Sequence, residues 1–204
     1  ESLEQYNADP VAYLKEHPAE AKDELLTYLD RNTEWKLSDL AGDVMHLGHR
    51  SNSFDVGEKL FSVASCIGCH RMNGKGANVG PDLTKLPAEY KPVDVLQHIL
   101  DPSKKIDRKY QSNLIVLKSG KVVAGLVVKE DDTSLHVLDN PTAPDRIRVI
   151  AKDELEEREV SEVSIMPKGV LNKLTREEIL DLLAFVVSRG DKKSDLFKAH
   201  HHGE

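Results

Sequence analysis

Apolar positions along this chain follow two periods, and the change from one to the other divides it. Residues 1–50 repeat at helical spacing. Asp9-Pro10 opens a short helix with Val11 and Leu14 on one face, which His17-Pro18 stops. A second helix from Ala19 carries Leu25, Leu26 and Leu29, and a third from Leu37 or Ser38 carries Leu40, Val44 and Leu47. Residues 54–64 predict a tighter amphipathic helix, with Val56, Leu60, Phe61 and Ala64 apolar. Pro92 opens another through Val93, Leu96 and Ile99, ended by Asp101-Pro102-Ser103.

After that the period becomes two. Residues 112–117 and 122–128 flank Ser119-Gly120 and read as a hairpin. Strands at 135–138 and 146–150 follow, with a short fifth near Glu159-Val160, so a small antiparallel sheet is expected between helices. His136 alternates with Leu135 and Val137 and should face solvent. Helical spacing returns at Thr175-x-x-Glu178, a capping box, with Ile179, Leu182, Leu183 and Val186 on one face and Gly190 closing it. The tail, residues 191–204, is polar and includes His200, His201 and His202, a disordered end by this reading.

Both cysteines lie between the fourth helix and the loop after it, in Cys66-Ile67-Gly68-Cys69-His70. Cys-x-x-Cys-His is the attachment signal of a c-type haem. Two thiols one turn apart can add to the two vinyl groups on one porphyrin edge, and the next residue offers its imidazole to the iron. Other readings of the motif fit less well. Zinc would need a distant fourth ligand, since no third cysteine exists. A thioredoxin-like pair calls for a strand before the motif, where a helix stands. A disulfide across two residues is less favourable still. Glycines at 74, 76 and 80 do not follow the order of a phosphate-binding loop and suit a flexible loop around a haem edge.

Composition agrees with a buried macrocycle. The 204 residues are only 39% hydrophobic and 5% aromatic, and a haem adds apolar surface that side chains need not provide. The net charge of −7 is concentrated: residues 1–50 hold 11 acidic and 5 basic side chains, so the first quarter carries −6 and the rest −1. Such a balance argues against nucleic acid and fits either a solvated helical surface or a redox partner with a basic face. No apolar run approaches the roughly 20 residues needed to span a bilayer. The opening Glu1-Ser2-Leu3 lacks a signal-peptide pattern and reads as the start of a mature or excised segment. His46 and His49, three apart near a helix end, read as surface histidines before a metal pair.

Gly57 and Phe61 in the helix before the haem motif, Gly80-Pro81-x-Leu83, Met166-Pro167 and a final amphipathic helix together resemble class I cytochrome c. That resemblance implies a mainly α fold in which the first and last helices cross through Gly57 and Phe61, against Leu182 and Phe185. It further implies Pro81 packed on the proximal His70, and Met166 as sixth ligand. The sheet lengthens the usual interval between the two ligands. Gly80 to Thr84, residues 99–103, Tyr110, Gly120, Gly125, Ser164-x-Met166-Pro167-x-Gly169 and Leu174-Thr175 are similar to the haem-binding domain of planctomycete and verrucomicrobial proteins, over about residues 53–190. The expected layout is then a helical extension over residues 1–52 and a cytochrome c domain over 53–204, with the β insertion at about 110–160. The implied function is single-electron transfer by one covalently attached haem c, a module of a larger secreted redox protein and not itself an enzyme, in the bacterial periplasm or at the cell surface. Cys66, Cys69, His70, Pro81 and Met166 would hold the cofactor, with His70 and Met166 on the iron. Three other residues bear on the sixth position: Met72 is too close to His70, Met45 would have to dock from the extension, and His98 would give bis-histidine ligation. A ligand-binding or gas-sensing haem domain with a labile sixth ligand is the alternative.

Overall fold

The computed structural model describes residues 31–198 apart from Thr142, together with Tyr28. The two helices expected before residue 30 and His200, His201 and His202 lie outside the described residues, whereas the first part of the polar tail is ordered, contrary to expectation: Leu196 and Phe197 pack on the helical core, and Asn52 Nδ2 donates to Leu196 O at 2.8 Å. Among residues 31–198 four α-helices are described, α1 (Leu37–Met45), α2 (Phe54–Val63), α3 (Pro92–Leu100) and α4 (Arg176–Val187). Five strands stand between α3 and α4: β1 (Ser112–Leu117), β2 (Val122–Glu130), β3 (Ser134–Leu138), β4 (Arg148–Ala151) and β5 (Leu155–Val160).

The helices enclose one core. Leu40, Val44 and Leu47 pack with Leu60 and Phe61 of α2, Val95 and Leu96 of α3, and Ile179, Leu183 and Phe185 of α4. The described part of the extension therefore shares the core of the helices that follow, as three short helices with few large apolar residues require. The Ser53 hydroxyl caps α2 by accepting from Val56 N at 3.3 Å, while Ser53 N donates to Asp181 Oδ1 at 3.0 Å. Thr175 and Glu178 form the expected box: Thr175 N donates to Glu178 Oε2 at 2.7 Å and Glu178 N to Thr175 Oγ1 at 3.3 Å. Helices α2 and α4 cross closely because Gly57 has no side chain. A Cβ there would lie 2.5 Å from Asp181 O and 2.7 Å from Phe185 Cβ. Phe61 and Phe185 meet beside this point with ring centroids 5.7 Å apart.

The sheet runs in the order β4-β3-β2-β1-β5, antiparallel throughout. Its inner face buries Ile115, Val123, Leu135, Val137 and Ile150 against one another. Glu130 at the end of β2 bonds both Lys152, just after β4, and Arg158 of β5, each at 2.8 Å, so the sheet curls until its two edges share a partner. The sheet outlasts expectation at its end: the fifth strand covers six residues although its sequence, Leu-Glu-Glu-Arg-Glu-Val, is almost wholly charged. Pairing with β1 supplies the order that propensity withholds. Helix and sheet thus share the described chain, and the expectation of a mainly α protein gives way to four helices around a core with a five-stranded sheet beside them. His136 does stand on the face opposite Leu135 and Val137, but half-buried, its Nε2 3.2 Å from Asp131 Oδ2.

Candidate haem site

Helix α2 ends at Ala64, and Ser65 then adopts a left-handed conformation, φ 61°. That residue turns the chain into a single 3₁₀ turn, Cys66–Gly68, which places both thiols and the following imidazole on one compact loop. His70 N donates to Cys66 O at 2.8 Å and closes the turn. Neither cysteine is in a disulfide. Burial pushes the Cys66 thiol up to about 12 and raises that of Cys69 as well, so both are held neutral.

The loop after His70 is tied down, contrary to the flexible loop expected. Ala77 N donates to Ile67 O at 3.0 Å, and Val79 N and Gly80 N donate to Cys69 O at 3.1 and 2.8 Å. Asn73 N donates to Thr84 Oγ1 at 2.7 Å, and Asn73 Nδ2 reaches Gly190 O beyond α4 at 2.8 Å. Two glycines make the lacing possible. Gly76, at φ 98°, leaves room where a Cβ would meet His70 O at 2.3 Å; at Gly80 a Cβ would strike His70 Cε1 at 2.7 Å. The Cε1 side of the imidazole therefore lies directly against the Gly80 backbone. Its Nδ1 lies 2.9 Å from Pro81 O. A carbonyl can only accept, so Nδ1 carries the proton and Nε2 keeps its lone pair. Desolvation lowers the basicity of His70 further, with the Pro81 bond opposing it, and the ring stays neutral.

Cys66, Cys69, His70, Gly80 and Pro81 are thus brought together. The loop carrying Met166 joins them indirectly. Val79, Leu126 and Leu138 form a small buried cluster on which Cys69, Ala77 and Ile165 all pack. The sheet, through Leu126 and Leu138, is what connects the residue beside Met166 to the residue beside His70. Met166 itself is half-buried, with its N donating to Ser164 Oγ at 3.1 Å. Ser164 N donates to Ser103 Oγ at 3.1 Å, and Lys168 Nζ lies 2.9 Å from Asp101. The turn at 101–103 is therefore the seat of the methionine loop. Neither Leu126 nor Leu138 was singled out by the sequence, since each reads as an ordinary strand residue.

The remaining candidates fall elsewhere. Met72 is buried in the helical core, and Met45 is exposed. His98 bonds Asp94 O of its own helix at 2.7 Å through Nδ1 and packs against Tyr90. The His46 and His49 rings are 6.3 Å apart at the end of α1, and His46 Nδ1 lies 2.8 Å from Gly42 O. Among the described residues no three His, Cys, Asp or Glu side chains are grouped so as to hold a metal ion, and none of the helices is long and apolar enough to cross a membrane.

The residues fit a c-type haem by their own geometry: two unpaired thiols on one turn, and a neutral imidazole whose far nitrogen is free and whose near nitrogen is fixed by a backbone carbonyl. Residues 54–114 match the model of the cytochrome c family, a span that takes in α2, the thiol turn, the laced loop and α3 and ends within the first strand. A cytochrome c domain is a haem-binding electron-transfer module with covalently attached haem c, and it works with a redox partner. No curated protein matches the chain.

Proposed function

We propose that this chain is a monohaem c-type cytochrome domain in which Cys66 and Cys69 are the thioether anchors, His70 the proximal ligand and Met166 the distal one. It would pass single electrons as part of a larger secreted redox protein, related to the planctomycete and verrucomicrobial haem-binding domains. Attachment of c-type haem takes place outside the bacterial cytoplasmic membrane, so the periplasm or cell surface is its expected home.

The observation that carries the reading is the Nδ1–H···O=C bond from His70 to Pro81 with Gly80 against the ring. A histidine that merely filled space would not need its tautomer and its rotation fixed together. The haem, when bound, supplies an iron that cycles between ferric and ferrous states, with methionine ligation favouring the ferrous form over bis-histidine ligation. The protein's part is to hold and orient. Pro81 keeps Nε2 aimed away from the backbone, and Val79, Leu126, Leu138 and Ile165 exclude water from the side of Cys69. Ser103 and Asp101 hold the loop that presents Met166. With His70 and Met166 both on the iron, no position would be left for substrate, and the domain would perform no bond chemistry of its own.

Replacing Met166 by alanine tests the distal ligand. The variant should lose the near-infrared sulfur-to-iron band and bind carbon monoxide readily when reduced, while the wild type does not. An unchanged spectrum would refute Met166 as ligand. Rapid carbon monoxide binding by the wild type would favour a ligand-binding domain with a labile sixth position.

A further inference from the structure

Only part of the sheet's outer face is covered. Leu126 and Leu138 are paired on that face and buried beneath Val79, in the cluster that includes Cys69. Along the strands from there, Leu114 pairs with Ala124 and Val116 with Val122, which puts four apolar side chains on the same face. Leu114, Ala124 and Val122 are bare, Leu114 41% and Val122 54% exposed, and Val116 between them is half-buried. A strand rises about 3.4 Å per residue, so the Leu114–Ala124 row begins about 7 Å from the row of Leu126. The patch is continuous with the wall of the haem site.

Its border is acidic. In register on β5, Glu159 stands opposite Leu114 and Glu157 opposite Val116. Residues 153–162 hold six carboxylates and one cation, Arg158, and that cation turns to Glu130 and Asn113 on the other face. Among the described residues, Asp153, Glu154, Glu156, Glu157, Glu159 and Glu162 form no ion pair. Lys118 and Lys121, at the hairpin end, are the cations nearest along these strands. An apolar centre inside a charged rim is the composition of a protein interface. A second copy would set acid against acid across this border. Residues 1–50 carry −6 and face the same objection. The complementary occupant is cationic.

We propose that this face is the docking surface for a cationic redox partner protein, with Leu114, Val116 and Val122 as its apolar contact and Glu157 and Glu159 as its steering rim. The proposal rests on the electron-transfer reading above and adds where the partner lands. A partner seated here lies over the sheet wall that packs against Cys69, and not at an arbitrary exposed edge.

The test uses the haem-loaded protein, reduced, with a strongly cationic cytochrome c as acceptor in stopped flow. Two variants are compared with wild type, Glu157→Gln with Glu159→Gln, and Leu114→Ser with Val122→Ser. Each should keep the visible spectrum and, at high salt, the rate of oxidation by ferricyanide. The second-order rate to the cationic acceptor at low salt should fall on the order of tenfold in the glutamine variant, with a shallower salt dependence. It should fall in the serine variant with the salt dependence kept. Normal ferricyanide oxidation with unchanged transfer in both variants overturns the docking surface and leaves the electron-transfer reading standing. A dimer that Leu114→Ser with Val122→Ser dissolves in sedimentation overturns the proposed occupant. A haem-loaded wild type that ferricyanide cannot oxidise removes the electron-transfer reading, and the docking surface with it.

Discussion

His70 illustrates how much of a site lies in residues that do no chemistry. Its side chain is determined by Gly80, which has no Cβ, and by Pro81, which contributes only a carbonyl. Gly80→Ala would force a Cβ to within 2.7 Å of Cε1. The ring can move only by giving up the Pro81 bond, so the variant should show an altered ferric spectrum and weaker axial ligation, read by absorption and by imidazole titration. An unaltered spectrum would mean that the ring has more freedom than the packing allows. The candidate ligands at this scale can be picked from sequence, because Cys66, Cys69 and His70 form a bonding pattern by residue type and order alone. What ties them cannot: Thr84 bonding to Asn73 and Gly76 beneath His70 O depend on where a loop returns in space. The similarity motifs at 101–103 and 164–169 gain a physical meaning here. They are bonded to each other, Ser103 to Ser164 and Asp101 to Lys168.

Elements are positioned by close approach and by caps. The α2–α4 crossing depends on Gly57, and Gly57→Leu would overfill it against backbone that cannot yield. Overpacking of this kind typically costs about 1–3 kcal/mol, and a denaturant midpoint should register it. At the start of α4, Glu178 closes the box with Thr175 and also meets Arg31 at 2.7 Å. Burial works against its charge as the largest single influence, but the bonds from Thr175 and Arg31 together outweigh it, and the carboxyl ends below its ordinary value. A carboxyl depressed in the folded state contributes stability above its unfolded value, and loses that contribution as pH falls through the folded one. Wild type should therefore lose stability in the acid range faster than Glu178→Gln, whereas near neutrality the variant should be the less stable by about 1 kcal/mol. Parallel pH curves for the two proteins would contradict this. The helix periods, caps and hairpin could be read from sequence because each is local. β5 was seen only at its last residues, because its order comes from β1 and not from its own charged side chains.

At the scale of the whole molecule, the sheet is the unexpected participant. By sequence it is an interruption between the two candidate ligands, yet Leu126 and Leu138 make it one wall of the candidate haem site and its outer face an open surface beside that wall. Long-range placement of this sort leaves no mark in local pattern, since Leu126 looks like any alternating strand residue. The expectation of a mainly α chain with a small inserted sheet gave the family's helices more weight than the described residues bear out, since five strands stand beside four helices. Covalent haem at Cys66 and Cys69 is the claim on which the rest depends. Its most direct measurement is the intact mass of protein matured with a haem-attachment system, after acid-acetone extraction. The account predicts the 22.8 kDa polypeptide plus one haem, with the colour remaining in the protein. The mass of the bare polypeptide, or haem released into the solvent, would contradict it.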